Sequence, residues 1–388
     1  MAIIKIIAIK HNTPSSITAI LSIKEQQDEI NAEVSENVNQ YLTTDRCDAF
    51  IMGLLYFAMS HGYDFESQIP ISEELYYNLE NHFIDALAHN GSGLHRTMLF
   101  MPTIPAPSHT GNIVATGISC GVDCLYTIHM HENIQIPDYR ITHLGFYNVG
   151  SHQTGSSNEH DNQLYKGRYQ LCKSFAEEYG YTFYTLKSNI HEFIDKYGGY
   201  SHVNNHSYMA AYSILLLQKG ISRYYYSAGY PYTDFRVNKT HKGEELDSAM
   251  YDLLTFYTIS GKNIKVYSAG GNIKRIDKTK ILCNYPPAFK YLNVCVREAQ
   301  NDSTCFKCIR TMLSIDAVGK IDNFKNVFDV SYYKAHKKHY IQSMWISATF
   351  FHDELSQEII PYYKDVLTLK FKFSALINKF INAIQKRL

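Results

Sequence analysis

The stretch GISCGVDCLYTI, Gly117 to Ile128, sets a hydroxyl, a glycine and a carboxylate between a short apolar run and a helical pattern. Its centre, Ser119–Cys120–Gly121–Val122–Asp123–Cys124, falls where a strand should end and a helix begin. Backbone N–H groups at a helix start have no partners inside the helix, and the helix dipole adds positive potential, so a pyrophosphate fits there. Gly121 lets a phosphate approach closely, Ser119 can donate a hydroxyl, and Asp123 could hold Mg²⁺ or orient the loop. An ordinary strand-to-helix turn would use the same residues. The pattern is neither G-x-x-x-x-G-K-[ST] nor G-x-G-x-x-G. A second group is the C-x-x-C of Cys305 and Cys308, a spacing suited to a metal or to thiolate chemistry in a reducing compartment. Simple buried thiols are the plainer reading.

Periodicity indicates what must position these residues. Residues 1–105 mix strand-like runs with two helices, one around Asp45 to Ser60 and one following Ser72 as N-cap, and form an expected α+β accessory domain. Pro102, Pro105 and Pro107 then make a stiff connection, where a domain boundary is expected. Over 106–290, NIVATGI, ITHLGFYNV, YTFYTLKSN, SRYYYSAG and NIKVYSAG read as strands, with helical segments between them. That alternation predicts an α/β fold with a doubly wound parallel sheet, whose ligands bind at the carboxyl ends of the strands. Asn189, after the third of these strands, and His206, expected to open a helix, would face that cleft and could contact nucleotide or acceptor. Tyr230 and Asp234 occupy another strand-end loop. Residues 291–320 carry the cysteine pair, and 321–388 read as a helical extension ending in the basic amphipathic KFSALINKFINAIQKRL.

Bulk properties narrow the function classes. The 388 residues hold 37 Lys and Arg against 37 Asp and Glu, so no global positive field exists to hold a long nucleic acid. The opening MAIIKIIAIKHN is broken by Lys5 and Lys10 and reads as a strand rather than a signal peptide. No run approaches the roughly 20 apolar residues of a membrane span. A soluble, cytoplasmic chain without membrane association is expected.

Taken together, the loop resembles the S-G-G-x-D-S signature of the PP-loop ATP pyrophosphatases, which release pyrophosphate and adenylate an acceptor. Ser119, Gly121, Val122 and Asp123 match; Cys120 replaces the first glycine and Cys124 the final serine. Within that group, IKRIDKTKIL followed by NVCVREAQNDSTCFKCIRTM is similar to 7-cyano-7-deazaguanine synthase and to its homologues in antiphage systems such as Qat and type IV CBASS. Lys278 and Ile281 match the family's Lys and Ile, and Cys295, Cys305 and Cys308 match three of its four zinc cysteines. The fourth falls at Asp302, whose carboxylate could close a zinc site, with Cys283 as the competing candidate. The resemblance implies ATP, Mg²⁺ and Zn²⁺ as cofactors, with Ser119, Asp123 and Lys278 as catalytic residues. It implies a carboxylate or amide acceptor on a 7-deazaguanine base, then attack by a nitrogen nucleophile, giving an amide, a nitrile or a conjugate with a partner protein. A tRNA-thiolating enzyme and a catalytically degenerate nucleotide-binding subunit are the alternatives. Neutral overall charge counts against the first of these, and the two loop cysteines favour the second.

Overall fold

A computed structural model describes residues 2–89, 91–152, 158–240 and 243–385. Twelve strands occur among the described residues: β1 (Ala2–Thr13), β2 (Ser16–Ile23), β3 (Gln26–Val34), β4 (Tyr63–Ser67), β5 (Ile71–Ser72), β6 (Leu99–Phe100), β7 (Thr103–Ile104), β8 (Ile113–Gly117), β9 (His143–Asn148), β10 (Thr182–Ser188), β11 (Ile221–Ser227) and β12 (Lys265–Ala269). Ten of them build one sheet in the order β12-β11-β8-β9-β10-β3-β2-β1-β4-β6, while β5 and β7 pair separately. The half from β12 to β10 is parallel throughout. Counted along the chain, its five strands lie in the order 3-2-1-4-5, the arrangement of doubly wound sheets. The sheet continues beyond it, because β10 pairs antiparallel with β3, and β1, β2 and β3 form an antiparallel meander.

The chain divides into two compact units, which differ from the expected domains. The first comprises 1–118, 130–156 and 172–272; the second comprises 119–129, 157–171 and 273–388. The expected boundary near residue 105 falls inside the first unit. Two contacts explain why the proline stretch is not a linker: Arg46 donates to the Pro105 carbonyl at 3.0 Å, and Asn263 donates to that of Pro107 at 2.6 Å. The backbone pairing of β3 with β10 then joins β1, β2, β3, β4 and β6 to the parallel strands in one sheet.

In the first unit, the helix Asp48–His61 is apolar on nearly every side and correspondingly buried. It packs on the helix His202–Leu216, with the Phe50 and Tyr212 rings edge to face at 5.6 Å. The expected N-cap Ser72 sits at its helix start, but its hydroxyl is spent on Asp48 rather than on the cap. The second unit is helical. Its largest members are Phe306–Ala317, Val330–Phe350 and Leu369–Gln385, packed around buried Met312, Leu313, Ile315, Phe324 and Tyr333. It also holds the start of the helix Val122–Glu132, and so brings the loop residues 119–124 and the cysteines of 295–308 into one unit.

Candidate functional site

The loop leaves β8 at its carboxyl end. Cys120 lies in the left-handed region at φ +57°, a conformation that costs a residue with a Cβ about 1–2 kcal/mol relative to right-handed backbone. This is the position at which the resembled signature has glycine. The turn is fixed by the N–H of Gly121 donating to Ser119 Oγ at 3.3 Å, the N–H of Asn293 donating to the Cys120 carbonyl at 2.9 Å, and the N–H of Leu125 donating to the Gly121 carbonyl at 2.9 Å. The Cys120 side chain is fully buried. Replacing it with glycine therefore relieves backbone strain and removes buried sulfur, two effects of opposite sign. Cys120→Gly should shift stability by no more than about 1 kcal/mol in denaturant unfolding and leave nucleotide binding unchanged. Loss of function without loss of stability would give the thiol a role of its own.

Asp123, on the first turn of the helix, accepts from Arg275 Nη2 at 2.5 Å and from Lys278 Nζ at 3.0 Å. Arg275 and Lys278 stand three residues apart on the helix Arg275–Leu282 and so share a face. Burial alone would push the Asp123 carboxyl up, but Arg275 and Lys278 together hold it below the usual carboxylate range. With its folded value depressed, the carboxylate's stabilising contribution is complete above its ordinary value near pH 4. It is lost as pH falls through the lower folded value. Of the two roles open to Asp123, this triad favours orienting the loop over holding Mg²⁺.

More cations surround the triad. Lys307 is pushed down to about 8, first by burial and then by Arg275 and Arg310; Asp123 partly offsets this, and Arg168 adds to it. Lys307 still exposes surface, so the crowd of protein atoms around it leaves an opening to solvent. Arg275 and Lys278 are paired with Asp123, and Arg310 stands 4.0 Å from Asp353, so cations and carboxylates alternate around Lys307. Sequence reasoning missed Arg168, Arg275, Lys307 and Arg310. The three-residue spacing of Arg275 and Lys278 was a usable signal; Arg168 comes from a distant helix and left none.

The ligand atoms of Cys295, Asp302, Cys305 and Cys308 all lie within 4.8 Å of one another, a group that could hold a metal such as zinc. Local backbone geometry builds it. Cys305 caps the helix Phe306–Ala317, its sulfur accepting from the Cys308 N–H at 3.4 Å, and Cys295 Sγ accepts from the Glu298 N–H at 3.3 Å. Such N–H···S bonds favour thiolates. Hydrogen bonding with Cys295 and Cys308 lowers the Cys305 thiol, while the same contacts raise Cys308. Asp302 Oδ1 accepts from the N–H groups of Thr304 and Cys305, and its other oxygen is 3.9 Å from Arg297. Asn301 ties the segment down through the carbonyls of Leu292 and Val327.

Cys283 is outside this group; it follows the helix Arg275–Leu282, and burial pushes its thiol up to about 11. Asp302→Ala should therefore weaken zinc retention in a chelator competition, and Cys283→Ala should not. The reverse pattern would reassign the fourth ligand. The centre also bears on the loop, since Lys307 lies between two of its cysteines and Asn293, two residues before Cys295, holds the Cys120 carbonyl.

Asn189 and His206 belong to the first unit. The Asn189 amide is committed to β3, accepting from the Asn31 N–H at 2.7 Å and donating to the Glu29 carbonyl at 3.2 Å. His206 lies in the second turn of its helix rather than at its start. It bonds Asp247 at 2.7 Å and the Tyr226 hydroxyl at 2.8 Å, and Tyr230 donates to the other Asp247 oxygen at 3.4 Å.

No family model, curated protein or solved structure matches the chain.

Proposed function

We propose that the chain is an ATP-dependent C–N bond-forming enzyme of the PP-loop type. The observation that carries this reading is the left-handed Cys120 at the glycine position of the resembled signature, on a turn that opens the helix bearing Asp123. The cations around Asp123 support it. In this reading the loop N–H groups cradle the β- and γ-phosphates, while Arg275, Lys278 and Lys307 supply fixed positive potential where charge develops on departing pyrophosphate. Mg²⁺, bound with the nucleotide, would add further charge neutralisation. An acceptor carboxylate attacks the α-phosphorus, the α–β bond breaks and pyrophosphate leaves. A nitrogen nucleophile then displaces AMP from the acyl adenylate. The resemblance suggests a 7-deazaguanine carboxylate as acceptor and, in the setting of antiphage defence, an amine of a partner protein as nucleophile.

Incubating the protein with ATP, 7-carboxy-7-deazaguanine and the products of neighbouring genes, then weighing intact proteins, tests the acceptor. The expected result is a mass increase on one partner. A free nitrile or amide with no mass shift would return the assignment to small-molecule synthesis. The ion pairing of Asp123 favours one second reading, a nucleotide-binding subunit without turnover; pyrophosphate release separates the two.

A further inference from the structure

The last helix, Leu369–Gln385, is apolar on two opposite sides. Phe371 and Ala375 are buried, and on that side Gln342 of the helix Val330–Phe350 bonds Ser374 and Asn378 at 3.3 and 3.2 Å. The opposite side carries Leu369, Phe373, Leu376 and Ile377, exposed by 87, 68, 40 and 44%. At 3.6 residues per turn these four form one outward stripe. Lys370 flanks it on one side and Lys372 on the other, the latter extended over the Trp345 ring at 5.9 Å.

Charge decides what fits this stripe. No Asp or Glu follows Asp365, whereas Lys370, Lys372, Lys379, Lys386 and Arg387 do. From Lys320 onward, eleven Lys and Arg face six Asp and Glu in a chain neutral as a whole. A second copy docked stripe to stripe would bring lysines together with no acid to answer them. Protein interfaces deplete lysine and favour arginine, yet the cations on Leu369–Gln385 are all lysines. An apolar stripe between lysines on an outward helix is the pattern of a helix lying in a lipid interface, its rings in the acyl boundary and its ammonium groups at the phosphates.

We infer that Leu369–Gln385 docks the protein reversibly on an anionic membrane surface. No described helix is long and apolar enough to cross a membrane, so this one lies along the surface, in contrast to the sequence-based expectation of no membrane association. Four apolar side chains and a few lysines give weak, salt-sensitive binding.

The test is co-sedimentation of the full-length protein with vesicles of phosphatidylcholine alone or mixed with phosphatidylserine. Binding should require phosphatidylserine and fade as salt rises. It should weaken about tenfold or more in Phe373→Ser and in Lys370→Glu, whose exposed positions leave folding undisturbed by circular dichroism. Three outcomes overturn the inference: no binding to either vesicle; binding unchanged in both variants; or a dimer by light scattering that Phe373→Ser dissociates, which would assign the stripe to a second copy.

Discussion

Asp123→Asn should lower ATP-dependent pyrophosphate release by about a hundredfold or more. It should also destabilise the protein by about 3 kcal/mol, because Lys278, only 1% exposed, loses its charged partner inside the fold. The loss of stability is a consequence of the triad; a loop held by backbone geometry alone would not show it. The two effects can be separated. Asp123→Asn combined with Lys278→Met removes both members of the buried pair and should recover much of the stability in urea unfolding, but none of the activity. If Asp123→Asn turns over at the wild-type rate with a competent acceptor, the loop does not do the proposed chemistry. If the double variant is no more stable than the single one, Lys278 is balanced by another group.

The second large effect belongs to the cysteine cluster. Protein purified without chelator should contain about one zinc per chain, and Cys305→Ser should contain little. Metal bound only to the folded state contributes its binding free energy to folding. Removing it with a strong chelator should therefore lower the midpoint of thermal unfolding by about 10 °C or more. Cys305 is the informative position because it would serve as a ligand and is the helix cap, accepting the Cys308 N–H. Serine keeps a capping oxygen while removing the sulfur, so a fall in zinc content with the helix retained isolates the metal's share. Elemental analysis finding no zinc in the wild-type protein, with thermal unfolding unmoved by chelator, would make the cluster a set of packed thiols.

What could be read from the sequence was what is local. The strand pattern NIVATGI and the helical VDCLYTIHMHE correspond to β8 and to Val122–Glu132, since each carries its own period and a turn between them. The C-x-x-C and the acid three residues before it lie within seven positions, and their grouping follows from one tight turn through Ser303 at φ +59°. Long-range pairing left no such trace. Nothing in QQDEINAEV indicates that β3 will join β10, some 150 residues away, so by sequence the first strands read as a separate domain. Pro102, Pro105 and Pro107 looked like a linker because the hydrogen bonds that anchor them come from Arg46 and Asn263. Arg168 and Arg310 join the cation cluster through helix packing that one-dimensional spacing does not encode. Cys120 shows the converse. Its departure from the resembled glycine is visible in the sequence, and the backbone there is left-handed at a cost in strain.

The measurement that bears most directly on the central claim is the product of ATP itself. The protein is incubated with Mg²⁺, 7-carboxy-7-deazaguanine and ATP labelled in the α-phosphate, and the nucleotides are separated by anion exchange. The account predicts labelled AMP formed together with pyrophosphate, dependent on the acceptor and absent in Asp123→Asn. Labelled ADP, or tight ATP binding with no cleavage of the α–β bond whatever the acceptor, would contradict it.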